Sequence, residues 1–477
     1  MFKTHFIHFI IIVSFIFTQA TIKAQEFPIA VGTDTTFSGG AVFGLVDKGL
    51  VAIQGDNTNP YSINAQIITY PGTLVGSRIS LNDEGTPPGA IPLFDGRNYF
   101  LVWCNFDNNL RGQFIDTAGN LAGTPFTIAS SISTEGPGRF GFALGGDSIL
   151  VVYEKTDGFL YGRLVDKFRA EPVGNETKIS NNYARELAIA FDGTNYLVAW
   201  VEQIPEQSDK NIYGQFVSRS GALIGSNFTI DDGPYYSDNP ISLAYDGTRY
   251  LLAFHETTNS KGDHPKWALF GKFITKSGTI QETISICDSS KLPFLPSVAF
   301  DGTNYFITWT QFSNYSLMGQ FFSVSGNPIG EPFVVISPSG NKIPIGGVGF
   351  GGGSYLVVAT KVDSNFSDGD VYGRFIQPLT GVENENDLTP ETFVLFQNYP
   401  NPFNPTTTFT FTLPVKSFVS LKIFDALGKE VATLFSEELS AGKHSKQWDA
   451  SGLPSGVYFY RLQAGLFTET KKLILLR

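Results

Sequence analysis

The sequence predicts an all-β protein, a seven-bladed β-propeller followed by a small β-sandwich. The first observation is a four-residue motif, often with Gly second and Phe last, that recurs about every fifty residues. Its seven copies are Asn64–Ile67, Arg111–Phe114, Tyr161–Leu164, Tyr213–Phe216, Phe270–Phe273, Met318–Phe321 and Tyr372–Phe375. The second is an Asp-Gly pair before strand-like runs, at Asp95, Asp192, Asp246 and Asp301. The third is the lack of a long 3.6-residue apolar period, so almost no helix is expected.

Each repeat unit contains four strand-like pieces, which we name A to D. In the fourth unit, strand A is Leu187–Phe191, strand B is Tyr196–Val201, strand C is Ile212–Ser218 and strand D is Asn227–Ile230. The pair Asp192-Gly193 tolerates positive φ and closes a tight hairpin between A and B. Seven such units indicate a seven-bladed propeller, and a right-handed β-solenoid is the structural alternative.

The two ends of the repeat region complement each other. The seventh unit has pieces for A, B and C and then runs into Pro378 without a strand D. Residues 27–31 form a strand with no A, B or C before it, and they resemble the D strands of other units. We therefore expect a propeller over residues 25–378 in which strand 27–31 completes the last blade and removes an exposed sheet edge.

Composition and the first residues restrict the class of protein. The 477 residues include 33 Lys and Arg against 44 Asp and Glu, a net charge of −11, so nucleic acid is not an expected partner.

Residues 1–24 have a positive start, an apolar core at Phe6–Phe17 and small residues after it, the pattern of a secretory signal peptide. No later segment resembles a membrane span. Cys104 and Cys287 fall in different strand positions of different blades, so two free thiols are expected. The protein is also expected to be a monomer.

The C-terminal part differs in composition from the repeats. Residues 379–391 are polar and form a linker, and residues 392–477 contain short alternating strands separated by Gly and Pro. About 85 residues of this kind are typical of a small β-sandwich.

This C-terminal segment resembles the type A sorting domain of proteins exported by the type IX, or Por, secretion system. The residues that carry the resemblance lie in Asn398–Pro405, Leu421–Gly428, Trp448-Asp449, Gly456–Leu462 and Lys471–Leu473. We take its sorting motif to comprise Asn398, Tyr399, Pro400, Asn401, Pro402, Gly456, Tyr458, Lys471 and Lys472. The resemblance implies an immunoglobulin-like fold, recognition by the type IX machinery, and passage through the periplasm of a Gram-negative bacterium to the medium or the outer-membrane surface. The repeat region resembles no named family.

The candidate binding site lies where the loops vary most. In a propeller the B–C and D–A connections share one face, and here those of blades four and five differ most in length and composition. Carboxylates, a histidine and aromatic side chains cluster in them: Glu202, Asp232, Tyr235, Tyr236, His255, Glu256 and Trp267. Such a mixture suits a non-catalytic module that binds a glycan or a protein by stacking and hydrogen bonds.

The sequence is also compatible with two other functions. A polysaccharide hydrolase or lyase would use Glu202 and Glu256, which hold equivalent positions in adjacent blades. Glycoside hydrolysis would require the two carboxylates to be about 5–5.5 Å or about 6.5–9.5 Å apart. A purely structural surface component is the third possibility. The spacing matches no metal motif, so neither a metal nor a cofactor is expected.

Overall fold

The computed structural model describes residues 26–30, 37–43, 48–54, 61–84, 91–133, 139–203, 210–235, 240–258, 266–363, 369–379, 393–398, 400–413, 415–440, 442–465 and 467–476. The chain divides into two compact units, residues 1–379 and residues 380–477, which are described separately. The predicted all-β class is confirmed, because a three-residue helix at Ser289–Lys291 is the only helical element among the described residues.

The described residues of the first unit form seven sheets of four antiparallel strands. The N-terminal strand and blade one comprise β1 (Phe27–Ala30), β2 (Phe37–Phe43), β3 (Lys48–Gln54), β4 (Ser62–Thr69) and β5 (Thr73–Glu84). Blades two and three comprise β6 (Ile91–Phe94), β7 (Tyr99–Cys104), β8 (Asn109–Ile115), β9 (Leu121–Ser130), β10 (Phe140–Gly145), β11 (Ser148–Glu154), β12 (Leu160–Asp166) and β13 (Glu171–Lys178).

Blades four to seven repeat the same order. Blades four and five comprise β14 (Ala184–Phe191), β15 (Asn195–Gln203), β16 (Lys210–Ser218), β17 (Leu223–Tyr235), β18 (Ser242–Tyr245), β19 (Arg249–Thr258), β20 (Lys266–Thr275) and β21 (Ile280–Cys287). Blades six and seven comprise β22 (Pro293–Phe300), β23 (Asn304–Gln311), β24 (Ser316–Ser323), β25 (Pro328–Ile336), β26 (Ile343–Gly351), β27 (Ser354–Val362) and β28 (Gly369–Ile376).

The sheets form a closed ring of blades. The A strand of each blade contacts the A strand of the next, and β26 of blade seven contacts β2 of blade one. Apolar clusters fill the space between neighbouring blades, and the B-strand aromatics Trp103, Trp200 and Trp309 are buried in three of them. A circular order with separate four-stranded sheets is a propeller and excludes the solenoid.

The seventh sheet contains strands from both ends of the unit, in the order β1-β28-β27-β26. Phe27 lies over Gly373, where a Cβ atom would approach the Phe27 ring to 2.7 Å. Phe228 of a regular D strand lies over Gly214 in the same way, at 2.8 Å. Ile29 and Ala30 are buried in a cluster shared with blade one. The N-terminal strand therefore performs the packing role of a D strand, while Val31 lies outside the described residues.

The recurring motif has a structural explanation in the C strands. Gln215 Nε2 donates to the carbonyls of Phe216 and Ile224, both at 2.9 Å, and bridges a bulge between β16 and β17. Blade three has Arg163 at this position, and its Nη1 donates 2.8 Å to the Ile128 carbonyl of blade two. The polar residue of the motif thus stabilises either the bulge within a blade or the contact between blades.

The Asp-Gly turns take part in a second link between blades. Asp246 Oδ1 accepts from the backbone N–H groups of Thr248 and Arg249, at 2.7 and 2.8 Å. Its Oδ2 accepts from the Tyr305 hydroxyl of the next blade at 2.8 Å. Burial, and then the charge and hydrogen bond of Asp246, raise the pKa of Tyr305. The hydroxyl therefore stays protonated and can donate the hydrogen bond. The same aspartate therefore orders its own turn and the neighbouring blade.

Replacing Tyr305 with Phe should lower the free energy of unfolding by about 1–3 kcal/mol, because Asp246 loses a buried donor. Equilibrium denaturation of the full chain measures the change. Tyr245→Phe is a suitable control, since Tyr245 donates to the exposed Gly247 carbonyl within its own turn. Equal stability of wild type and Tyr305→Phe would refute the link.

In the second unit the described strands form a sandwich of two antiparallel sheets. The smaller sheet contains β29 (Val394–Leu395), β30 (Thr406–Leu413) and β33 (Gly442–Asp449). The larger contains β32 (Glu430–Leu439), β31 (Ser417–Asp425), β34 (Gly456–Ala464) and β35 (Phe467–Leu475), in that spatial order. Alternate residues of β30 and β31 are buried in one apolar core, as the period of two predicts. This arrangement confirms the predicted immunoglobulin-like class.

Both cysteines are buried thiols, as expected. Burial, with the charge of Asp288 as a second cause, raises the pKa of Cys287 to about 12, so its thiol stays protonated and unreactive. No helix among the described residues is long and apolar enough to cross a membrane.

Candidate functional site

The B–C and D–A connections lie at the same end of each antiparallel sheet, and we call this side of the ring the loop face. The Glu202 side chain, near the C-terminal end of β15, is 3% exposed. Its Oε2 accepts from Trp200 Nε1 at 3.0 Å, and its Oε1 accepts from Asn182 Nδ2 at 2.6 Å. Glu202 therefore holds the D–A connection that precedes blade four, and both of its oxygens have a donor.

The remaining predicted residues are distributed along blades four and five. Asp232 is exposed on β17, whereas its neighbour Asp231 is buried and forms an ion pair with Lys272 of blade five. The side chains of Tyr235 and Trp267, and all of Tyr236, lie outside the described residues. The site predicted from sequence is thus described in part, at Glu202, Asp232, His255 and Glu256.

Glu256 lies beside the ion pair between blades four and five. Partial burial, and then the negative charge of Asp231, raise its pKa, while Lys272 opposes the shift. Asp231 Oδ1 also accepts from the Gly233 N–H at 2.8 Å. A carboxylic acid with a raised pKa can act in proton transfer. The groups next to Glu256, however, are Asp231 and Lys272, which form an ion pair between the two blades.

His255 is buried next to an aromatic side chain. Its ring is 4% exposed and meets the Phe294 ring edge-on, with centroids 5.8 Å apart. Burial lowers its pKa to about 4, so the imidazole is neutral at neutral pH. The environment favours a packing role over metal ligation or acid–base chemistry.

The depressed pKa of His255 predicts a loss of stability in acid. Between pH 6.5 and pH 4 the unfolded chain protonates this histidine and the folded chain does not, so stability falls by ~3 kcal/mol as the pH decreases. Glu154 and Glu256, whose pKa values are raised, contribute the opposite trend. Both glutamates remain in a His255→Gln variant, so the difference between the two unfolding curves isolates His255. Parallel curves over this range would contradict the assignment.

Exposed aromatic side chains on the loop face were missed by the sequence reasoning. Tyr61 and Phe106, from blades one and two, are 45% and 51% exposed and pack edge-to-face at 5.0 Å. Tyr183, in the D–A connection before blade four, is 62% exposed, and Tyr315 in blade six is 54% exposed. All four residues lie between strands rather than within them, but this position in the sequence does not show which side chains are exposed.

Tyr315 also has an unusual backbone conformation. It is the fourth residue of the B–C connection of blade six, with φ at 54°. The equivalent residues in blades two and three are Asn108 (φ 57°) and Gly158 (φ 81°), which tolerate the left-handed region better. A tyrosine here costs about 1 kcal/mol or more, and such strain occurs preferentially at functional sites.

Metal binding has no support in the described part of the chain. No group of three His, Cys, Asp or Glu side chains there could hold a metal ion. The other charged pairs near the loop face are cation–carboxylate contacts, such as Arg139 with Glu154 and Lys155 with Glu176.

The sorting-motif residues of the second unit have clear structural roles. Asn398 is buried, and its Nδ2 donates to Thr407 Oγ1 at 2.9 Å and to the Pro400 carbonyl at 3.1 Å. Its backbone N–H donates to the Tyr460 hydroxyl at 2.9 Å. Asn398 therefore binds the segment Asn398–Pro405, which we call the Pro-rich segment, to the sandwich. Tyr399 of this segment lies outside the described residues.

The same segment covers the edge of the last strand. Asn401 Oδ1 accepts from the Ile474 N–H at 2.8 Å, and its Nδ2 donates to the Lys472 carbonyl at 3.2 Å. Gln397 donates to the same carbonyl at 2.8 Å. These amides replace a neighbouring strand and remove a free sheet edge at β35.

The other motif positions lie on the last two strands. Gly456 begins β34, and Tyr458 of the same strand donates its hydroxyl to the Pro454 carbonyl at 2.8 Å. Lys471 pairs with Glu469 on β35, whereas Lys472 is exposed. The motif residues are therefore spread over the Pro-rich segment and the two C-terminal strands.

The propeller is similar in fold to several solved structures. These include hydrazine synthase of Kuenenia stuttgartiensis (12% identity, 74% of this chain and 98% of that chain, TM-score 0.47). The β-propeller domain of the trilobed protease from Pyrococcus furiosus is 13% identical (72% of this chain and 97% of that chain, TM-score 0.45). Polysaccharide lyase Uly1 is 11% identical (76% of this chain and 94% of that chain, TM-score 0.45). These likenesses carry no information about activity.

The family comparison concerns the second unit. No curated protein sequence matches the chain. A family model described as a secretion system C-terminal sorting domain matches residues 397–476, which include the whole Pro-rich segment and strands β30 to β35. Together with the sandwich fold and the motif residues Asn398 and Asn401, this match identifies the C-terminal unit of the chain as a sorting domain for type IX secretion.

Proposed function

We propose that the protein is an exported glycan-binding module, whose propeller holds the ligand at the loop face without catalysis. The observation that carries the proposal is the set of exposed aromatic rings on that face, above all Tyr61, Phe106, Tyr183 and Tyr315. Exposed rings of this kind stack against the apolar face of a sugar at little entropic cost, because they have few rotatable bonds.

The alternative of a hydrolase or lyase has less support. Glu202 is buried, and both of its oxygens accept hydrogen bonds from protein donors. Glu256 lies next to the ion pair of Asp231 and Lys272. Both carboxylates therefore interact with groups that stabilise the fold. The Glu202→Gln and Glu256→Gln double variant is the direct test of the catalytic alternative.

The remaining assignments complete the proposal. Residues 1–24 are a signal peptide, and residues 25–378 form the binding domain. Residues 379–391 are a linker, and residues 392–477 are the sorting domain that directs export. The chain travels through the periplasm as a monomer and then reaches the medium or the cell surface. The sorting-domain match supports this route.

Substitution of the exposed rings tests the binding proposal. In the full exported chain, Tyr61→Ala, Tyr183→Ala and Tyr315→Asn together should reduce retention by glycans in affinity electrophoresis at least tenfold. Tyr315→Asn alone should raise the free energy of unfolding by ~0.5–1 kcal/mol, because Asn suits the left-handed region better. Product release by wild type would favour an enzyme, and undiminished retention of the triple variant would refute binding at the loop face.

A further inference from the structure

One part of the loop face is held in place before any ligand arrives. It is the D–A connection between β13 and β14, which packs against the B–C connection of blade three. The Ala184 N–H donates to the Gly158 carbonyl at 3.0 Å. Ser180 Oγ accepts from the Leu160 N–H and donates to the Asn182 carbonyl, both at 2.9 Å. A connection fixed in this way loses little conformational entropy on binding.

Tyr183 forms the exposed surface of this connection. Its ring covers Gly158, and any Cβ atom at that position would collide with it. Phe159 lies beside it, with ring centroids 5.5 Å apart and planes inclined by 39°. The two rings support each other, and Tyr183 remains 62% exposed. The result is an exposed aromatic surface that is already formed in the absence of a ligand.

A positive charge lies over the Phe159 ring, the neighbour of Tyr183. Lys178 is exposed, and its Nζ is 3.2 Å from the centroid of the Phe159 ring. Among the described residues no carboxylate forms an ion pair with Lys178, whereas nearby Lys155 is paired with Glu176. Asp157 is also engaged, since its Oδ2 accepts from the Tyr161 hydroxyl at 2.9 Å. Lys178 is thus available to an anionic group bound at Tyr183.

We propose that Tyr183, Phe159 and Lys178 form a subsite for an acidic sugar, a uronate residue within a glycan. The apolar face of the pyranose ring stacks on Tyr183, and the sugar carboxylate pairs with the Lys178 ammonium group. This inference rests on the proposed glycan-binding function and narrows it to one subsite and one ligand class.

Glu202 has a defined part in this subsite. Its Oε1 accepts from Asn182, the residue before Tyr183, and its buried carboxylate is fixed by Trp200. Glu202 is therefore a positioning residue for the Tyr183 connection and does not touch the ligand. This explains how a residue predicted to belong to the site can be buried.

Affinity electrophoresis of the full exported chain tests the subsite, with polygalacturonate and alginate as acidic probes and xylan and a β-glucan as neutral ones. Wild type should be retained most by an acidic probe. Tyr183→Ala should weaken that retention about tenfold, which corresponds to ~1.4 kcal/mol. Lys178→Gln should weaken it about threefold and reduce its dependence on salt.

The chain offers a matched control on the opposite side of the same blade. Phe168 is 63% exposed, with Lys167 Nζ 5.1 Å from its ring centroid, in the C–D connection. Phe168→Ala should leave retention unchanged. Thermal unfolding of every variant verifies that the propeller is intact.

Three results would overturn the inference. Unchanged retention of Tyr183→Ala, with loss in Tyr61→Ala or Tyr315→Asn, would move the subsite elsewhere and leave the proposed function intact. Preference for the neutral probes, unaffected by Lys178→Gln, would refute the acidic ligand. Absence of retention of wild type by every probe would refute the glycan-binding function together with the subsite.

Discussion

Removal of residues 25–32 should lower the Tm of the propeller by roughly 5–10 °C. The deletion removes strand β1, which buries Ile29 and Ala30 and places Phe27 over Gly373. Loss of these apolar contacts costs about 4–6 kcal/mol. It also leaves Lys361, which is 4% exposed, without the Glu26 carboxylate that pairs with it. Differential scanning calorimetry of residues 25–477, with and without the deletion, measures the change.

Two point variants separate the causes of this effect. Phe27→Ala should produce part of the loss, because the C strand of blade seven would keep its hydrogen bonds but lose the ring over Gly373. Pro28→Ala is the matched control, since Pro28 is exposed on the same strand and should change stability by less than ~0.5 kcal/mol. An unchanged Tm after the deletion would show that ring closure does not depend on β1.

Truncation of the chain before Leu388 should abolish export and leave the propeller in the periplasm. The deleted part contains the whole segment that matches the secretion system sorting domain. The propeller has its own core and forms a separate compact unit, so it should remain folded without the tail. Cell fractionation and immunoblotting of periplasm, surface and medium measure the distribution.

A variant altered only on the loop face provides the control for export. Tyr183→Ala leaves the sorting domain untouched and should reach the medium or the surface as wild type does. Efficient secretion of the truncated chain would refute the role of residues 397–476 in sorting. Loss of the truncated protein from all fractions would indicate degradation, which a pulse-labelled time course distinguishes from retention.

Local patterns predicted the architecture because the interactions that define it are mostly local. An Asp-Gly turn and two alternating strands specify a hairpin whatever surrounds them, and the copies recur about every fifty residues. The pairing of β1 with β28 was also predictable, since one end lacked a strand and the other had one too many. The link from Asp246 to Tyr305 was not, because it joins side chains of different blades.

The candidate site was predicted less well. Glu202 was predicted as a site residue because it follows a predicted strand and begins a variable loop. In the structure it is buried and accepts hydrogen bonds from Trp200 and Asn182. Tyr183 was not chosen, because a short polar connection gives no sign of which side chain it exposes. Exposure depends on what lies beneath the ring, here Gly158 and Phe159 of a different connection.

The sequence by itself determined the all-β class, the sevenfold repeat, the acidic net charge and the sorting domain at the C-terminal end. All of these follow from turn chemistry, periodicity and a contiguous motif, which are properties of neighbouring residues. Only the tertiary structure decided that Glu202 is a buried positioning residue and that Tyr183 is an exposed ring beside Lys178. Burial and hydrogen-bond partners are set by the contacts between connections and between adjacent blades, and those contacts exist only after the chain has folded.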